Sequence, residues 1–595
     1  MLRAALLTAS ALLAAPAAAL AGPVEALPPA STPAISEVAP GVGYQRIVQD
    51  GGQVVHVVRA PLSPRVSLAP VLLGGSPITR ASLTSAMSSR LGTGAVAAVN
   101  GDFFNYSTND PSGVFMAGGE LVHEPEASRS ALVFGPGGGL DALNLALVGS
   151  WQAVDPAALT TFRARTFQGV NRPAKRGREA ILYTPAYGAL TTPAGGSRYE
   201  VRIRLDLPAP LTPNVPVSGT VIGSGAGGGQ TIGAGHWVLT GVGSAGVTIR
   251  DELQLGRRIT VTPGLTGLVP GALDAVGGGP ALVRDGRAIT SAGEGFSLAQ
   301  VGTRTSRTAV GQTADGMRLL VTAEGPAQGS RGITVAEQAQ LMAGLGARTA
   351  VAMDAGGSAQ MTVLDDMVIP WSGARSLSNA VVMSYDGVTL EPPPTRLSPN
   401  ADRVDDTTTL VVRATRPGTA RVTVARRTGR PTKRLWEGRL GPGAAAARLD
   451  PRKLRLADGV YVVVATQTPD DGSGATEQRR RVIVDRTLGS LNARGSAPRV
   501  GRTVRPRLDI RFRLQRPARV TVRVRTTGGT PVATLMSGRV LRPGKQSVRW
   551  DRKVRGKVVS GEYEVTVEAR GRLGTSGLVR SVTLKAPPKP RPARP

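Results

Sequence analysis

The chain contains no cysteine. That excludes a disulfide framework, thiol catalysis and cysteine-bound metal, although an exported protein need not be crosslinked. Histidine is almost absent, with only His56, His123 and His236 among 595 residues, so a histidine-rich zinc centre is not expected. No stretch beyond the N-terminus is apolar for long enough to cross a bilayer. Neither a recognition helix nor a base-stacking motif is evident, and nucleic acid is not an expected partner.

Acidic residues are scarce in one part of the chain only. Residues 391–595 carry 45 Lys/Arg against 16 Asp/Glu, a net of +29, whereas residues 1–390 carry 27 against 25, a net of +2. The back part is a polycation and should be drawn to an anionic envelope polymer: a phosphate-bearing wall polymer, an acidic polysaccharide or an anionic lipid surface. The bland alternative is a solvated basic face.

At this length roughly three to four domains are expected. Arg3, the apolar stretch 4–15 and the small-x-small site Ala19-Leu20-Ala21 read as a signal peptide over 1–21, which implies a secreted or envelope-associated protein. Residues 22–44, rich in Ala, Pro and Ser, read as a linker, and 45–386 as a strand-rich front domain. Glu391-Pro392-Pro393-Pro394 marks a second linker over 387–394.

Beyond it the chain repeats itself. Ala420-Arg421-Val422-Thr423-Val424 recurs as Ala518-Arg519-Val520-Thr521-Val522, and Gly459-Val460-Tyr461 as Gly561-Glu562-Tyr563. The offset is about one hundred residues, the size of an immunoglobulin-like sandwich. Alternating arginine and valine is the pattern of half-buried strands. Two sandwiches are expected, over 395–487 and 497–586, with a Pro/basic tail over 587–595. The opening Ser398-Pro399-Asn400-Ala401-Asp402 resembles that of bacterial immunoglobulin-like modules. Asp402, Asp405 and Asp406 read as a plain turn rather than a calcium loop, since their spacing is not that of an EF-hand.

The chemistry-bearing residues lie in the front domain. An apolar run over 317–323 delivers Glu324, and another over 349–353 delivers Asp354. Between them, Thr334 and Glu337 form a capping box and Gly346 supplies a helix stop. This predicts strand, helix and strand, with the two strands a parallel pair. In open α/β sheets the ligand crevice lies outside the carboxyl ends of the strands. A third run, 94–99, ends at Asn100-Gly101-Asp102, although Asn-Gly alone would read as a hairpin turn. Arg307 suits bidentate recognition of phosphate. Gly357 and Ser358 after Asp354 can form an anion-binding nest. Gly278, in the cluster Gly277-Gly278-Gly279-Pro280, is a further close-approach point.

Taken in order, several segments resemble the phosphodiester glycosidase family. They are Asn100-Gly101-Asp102-Phe103-Phe104, Gly278-Gly279-Pro280, Ser306-Arg307-Thr308, Gly332-Ile333-Thr334, Met353-Asp354-Ala355-Gly356-Gly357-Ser358 and Ser378-Asn379-Ala380. Asn171-Arg172 and Ile181-Leu182-Tyr183-Thr184 look like its middle segment.

The resemblance covers residues 45–386 and implies a hydrolase that removes a sugar from a sugar-1-phosphodiester. An oxocarbenium-like transition state calls for carboxylates beside the anomeric carbon. It implies Asp354 and Glu324 as catalytic acids with Asp102 third, Arg307, Gly357 and Ser358 on the phosphate, and Asn100, Asn379 and Gly278 elsewhere on the substrate. No resident metal or cofactor is implied, though a divalent cation could assist. Two features depart from the family: Ala355 replaces a glycine, and Asp102 stands where many members have glycine.

The fold expected is therefore multidomain: an α/β, strand-rich mixed-sheet catalytic domain followed by two all-β sandwiches. The competing readings are a non-catalytic glycan-binding or cell-surface structural protein, and a metal-dependent phosphodiesterase.

Overall fold

A computed structural model of the chain describes residues 36–193, 197–289, 293–369, 374–401, 404–427, 429–496, 499–500 and 503–586. The expected signal peptide, most of the first linker, Asp402 and the 587–595 tail lie outside the described residues. Ser36–Ala39 and Val42–Val48 are strands, so part of the stretch read as linker is strand. Among the described residues no helix is long and apolar enough to cross a membrane.

Strand accounts for 53% of the structure and helix for 8%. The front region is built on an eight-stranded sheet ordered Ser36–Ala39, Val42–Val48, Val54–Ala60, Arg318–Ala323, Arg307–Thr313, Ala347–Ala352, Ala281–Arg284, Arg287–Ala288. Arg318–Ala323 and Ala347–Ala352 run parallel, as expected, but they are not partners. Arg307–Thr313 lies between them and is antiparallel to both. The connecting helix, Val335–Gly344, carries the Thr334/Glu337 capping box. It buries Val335, Ala339 and Met342 on the face of the sheet that holds Ala309, Val321 and Ala350. Gly346 closes it at φ +86°, where a side chain would be strained.

The opposite face packs on a five-stranded sheet containing Ala95–Asn100, Asn379–Tyr385 and Val66–Leu72. Val58, Val310, Leu320 and Val351 meet Val99, Val381 and Met383 there. Ala95–Asn100 is buried on both faces, because Leu83 and Met87 of the Leu83–Ser88 helix cover the far side. Its small residues suit that confinement. Asn100-Gly101 is therefore the end of a central strand, not a hairpin.

The region read as one domain has more than one core. A nine-stranded, almost wholly antiparallel sheet built from residues 146–266 encloses its own cluster around Trp151, Ile203, Leu239 and Val261. The family-like middle segment sits here and its polar residues are structural. Asn171 exchanges hydrogen bonds with Thr184, and Arg172 lies buried against Glu124 and Glu179. Among the described residues the α-helices are four and short, so the α/β description fits only the strand–helix–strand unit at Arg318–Ala352.

The back region consists of two sheet pairs. Val388–Leu390, Thr408–Ala414 and Gly443–Leu449 share one core with a five-stranded sheet centred on Gly459–Pro469. Leu488–Ser496, Arg507–Leu514 and Gly544–Trp550 share another with a four-stranded sheet. The repeated segments fall on equivalent strands, Gly418–Arg426 and Ala518–Thr526, with their valines buried. Val388–Leu390 pairs with Thr408–Ala414, so the first sheet pair starts before the proline run rather than at 395.

Arg480 joins this first pair to the front region. Its guanidinium donates to the carbonyls of Leu390 at 2.9 Å, Glu37 at 2.5 Å and Val38 at 2.6 Å. Arg480→Ala would leave these buried carbonyls short of donors. A loss of about 2–3 kcal/mol is expected, with faster proteolytic cleavage near the proline run. Unchanged cleavage kinetics would refute this role for Arg480.

Candidate active site

Two strands of the five-stranded sheet bring the first residues together. Ala380 lies opposite Asn100, so Asn379 sits beside the turn after Asn100. Asn379 Oδ1 accepts from the Asp102 backbone N–H at 2.8 Å. A Cβ at residue 101 would come within 2.1 Å of that oxygen, so Gly101 makes the approach feasible. Asn100 then reaches the eight-stranded sheet. Its Nδ2 donates to the Asp354 carbonyl at 2.8 Å and its Oδ1 accepts from Gln360 N–H at 3.0 Å. Asn379 Nδ2 is buried without a partner among the described residues.

Asp102 is 3% exposed, and each of its carboxylate oxygens accepts a backbone amide, Phe103 N–H at 2.8 Å and Gly113 N–H at 2.7 Å. Burial pushes its pKa up to about 7, against the pull of those amides and Arg129, and the charge on Asp354 pushes the same way. Asp354 Oδ1 accepts from Ala355 N–H at 2.8 Å. Burial raises its pKa to about 6, opposed by hydrogen bonds from Ser358 and Ala355 and by the charges of Arg375 and Arg129.

Ala355 has φ −115°, an ordinary extended conformation, so the family departure carries no backbone strain. The left-handed position is Gly356, at φ +62°.

Arg375 donates to Ser358 Oγ at 3.2 Å and to the Tyr106 hydroxyl, with its guanidinium 5.2 Å from that ring centre. A Cβ at Gly357 would meet Arg375 Nη2 at 2.9 Å, so the glycine leaves room for the guanidinium. Arg129 lies 5.2 Å from the Phe103 ring centre and 4.7 Å from that of Phe296. Neither arginine is signalled by the sequence, where 72 basic residues make any one arginine uninformative.

Beside Asp354 is a cavity of about 260 Å³, lined by Phe103, Gly279, Phe296, Thr305, Arg307 and Asp354 among others. Gly278 serves packing behind it: a Cβ there would come within 2.6 Å of the Ala352 carbonyl. Arg307 lines the cavity, and two of its three guanidinium nitrogens, Nε and Nη2, are engaged. It donates to the carbonyls of Ile333 at 2.8 Å, Gln300 at 2.8 Å and Thr303 at 2.9 Å, which ties down the segment forming one wall. Burial lowers its pKa to about 10, and it stays a cation at neutral pH.

Glu324 does not join this group. Arg307 pairs with Ala323, so alternation turns Glu324 to the other face of the sheet. Its Oε1 meets His56 Nε2 at 2.9 Å and its Oε2 accepts from Ser330 at 3.1 Å. His56 Nδ1 meets the Tyr44 hydroxyl at 2.8 Å. Burial lowers the His56 pKa, so the ring is neutral. With the Tyr44 hydroxyl donating to Nδ1, the imidazole N–H faces Glu324. Among the described residues no cluster of three or more His, Asp or Glu is placed to hold a metal ion.

Comparison with known proteins gives structural likenesses of low sequence identity. A hypothetical protein from Synechocystis is 23% identical, with a TM-score of 0.48 over 60% of this chain and 64% of that one. The chain thus spans under two thirds of that protein's length. A candidate exported protein from Burkholderia pseudomallei is 22% identical, with a TM-score of 0.45 over 56% of this chain and 75% of that one. The catalytic domain of zebrafish N-acetylglucosamine-1-phosphodiester α-N-acetylglucosaminidase, auto-inhibited by its pro-peptide, is 13% identical, with a TM-score of 0.28 over 60% of this chain and 86% of that one. No curated protein matches the chain in sequence. Asp354, Ser358 and Asn379 belong to a segment, residues 216–384, that matches the model of the phosphodiester glycosidase family.

Proposed function

We propose that the protein is an exported glycosidase that releases a sugar from a sugar-1-phosphodiester. The observation that supports this most is Asp354, a raised carboxylate that lines the cavity, with Asp102, also raised, near enough to feel its charge and Arg375 and Arg129 acting on it from nearby. Asp354 lines the cavity and is the group to face the anomeric carbon. Ionised, it would stabilise the oxocarbenium-like transition state or draw a proton from the attacking water. Asp102, behind it and bonded to two amides, is a positioning residue that would hold the pair at a single negative charge. The phosphate leaves as a monoester and needs charge neutralisation more than a proton; Arg375 and Arg129 would supply it. Gly356, Gly357 and Ser358 would offer backbone room and a hydroxyl beside that anion, and Asn379 Nδ2 a donor for a sugar hydroxyl. The back region would consist of two immunoglobulin-like sandwiches.

The test is incubation of the full chain with sugar-1-phosphodiesters. Free sugar together with a phosphate monoester is expected. A sugar phosphate formed only with added divalent metal would favour a phosphodiesterase instead. Sugar binding with no turnover would favour a glycan-binding protein. Glu324→Gln separates the two acid clusters. Its loss disturbs the His56–Ser330 contacts, and destabilisation of about 1–3 kcal/mol is expected, with turnover kept within roughly tenfold. A far larger loss of turnover in a folded variant would return Glu324 to the catalytic group.

A further inference from the structure

The last sheet pair carries a cleft of about 670 Å³ that the chemistry above does not use. Its basic lining residues are Arg511, Arg513, Lys545 and Arg580, all exposed. Strand register sets three of them on one face. Arg511 and Arg513 are two residues apart on Arg507–Leu514, and Arg513 lies directly opposite Lys545 of Gly544–Trp550. That places positive charge at intervals of roughly 5–7 Å along and across the strands. Like charges directly opposite each other on a sheet are destabilising. Among the described residues none of the four has an ion-pair or hydrogen-bond partner. The one acid on that strand, Asp509, is already taken by Arg507 and Arg549. Asn492 and Ser547 add neutral polar groups to the same cleft.

We infer that this cleft binds a glycan chain linked through phosphodiesters. The four cations would face its phosphates, and Asn492 and Ser547 its sugar hydroxyls. Charge complementarity selects a polyanion. The lining selects among polyanions: its one aromatic, Phe512, is 3% exposed, which leaves no platform for stacking bases. The choice of phosphate over carboxylate rests on the activity proposed above, since the polymer would then present the bond to be cut. The cleft would hold the enzyme on its polymer.

The experiment measures binding of the full chain to four probes at fixed ionic strength: a poly(hexose-1-phosphate) glycan, a neutral glucan, a single-stranded oligonucleotide and phosphatidylglycerol vesicles. The glycan is expected to bind tightest, and R511Q/R513Q/K545Q to weaken it at least about tenfold. A charge-matched control in the preceding sheet pair, R427Q/R448Q/R481Q, should change it by less than about threefold. Lys545→Gln alone, a single exposed change, should show a smaller loss in the same direction. Both triple variants should cleave a small soluble sugar-1-phosphodiester at the wild-type rate, which separates this site from the catalytic one. Equal losses in the two triple variants would reduce the cleft to diffuse charge. Tighter binding of the oligonucleotide or vesicles, or no loss in the cleft variant, would overturn the assignment.

Discussion

Asp354→Asn is expected to lower release of sugar from a sugar-1-phosphodiester by about 10²–10⁴-fold, the range lost with a positioned acid or base. The change keeps shape while removing the charge that the cavity presents. The Ala355 amide can still donate to the asparagine Oδ1, and Asn100 bonds the backbone of residue 354, not its side chain. The variant should therefore fold.

Linkage provides an independent reading. The folded-state pKa of Asp354 is raised, so the folded protein binds more protons than the unfolded chain between about pH 4 and 6. The stability this group contributes is fully present below the unfolded pKa and is lost as pH rises through about 6. Asn does not titrate. The variant should thus gain stability relative to the parent as pH is raised from 4 to 7, followed by thermal unfolding across that range. A flat difference would mean that Asp354 is not desolvated. Full turnover in the variant would dismiss it from the chemistry.

The second large effect is on the pH profile. With Asp354 near 6 and Asp102 near 7, kcat/KM should rise as the first ionises and fall as the second does, peaking between the two. The apparent values belong to the interacting pair. Above pH 7 a second negative charge would stand beside a phosphate that must be held. Asp102→Asn cannot acquire that charge, so its falling limb should disappear. The same substitution forfeits one amide acceptor, because the asparagine NH₂ cannot accept and its Oδ1 replaces only one of the two oxygens that serve Phe103 and Gly113. A stability cost of about 1–3 kcal/mol is expected. Rates measured below the unfolding temperature keep the two effects apart. Persistence of the alkaline limb in Asp102→Asn would assign it to another group.

Several elements were legible from residue order alone. The Thr334/Glu337 cap and Gly346 stop mark a helix by local chemistry, and local chemistry survives folding. The strand ends at Asn100, Glu324 and Asp354 were visible because apolar runs halted there. Which face each side chain takes was not visible. That depends on register with a neighbour: Arg307 opposite Ala323 sends Glu324 away from Asp354, and nothing near Glu324 in sequence announces it. The partners of Arg307 were hidden for the same reason, since the carbonyls of Gln300 and Thr303, at the end of a short helix, and that of Ile333 meet only after folding. Arg375 and Arg129 carried no signal above the basic background. The separate core of residues 146–266 was hidden because its strands read like those on either side.

The front region is closed by distant partners. Val54–Ala60 lies beside Arg318–Ala323, and Val66–Leu72 beside Asn379–Tyr385, with the entire nine-stranded body inserted between them in sequence. A nascent chain that has not yet reached residue 379 lacks both the clamp on Asp102 and the strand flanking Ala95–Asn100. Such topology folds late and slowly. The candidate site would therefore be assembled only near completion of this region.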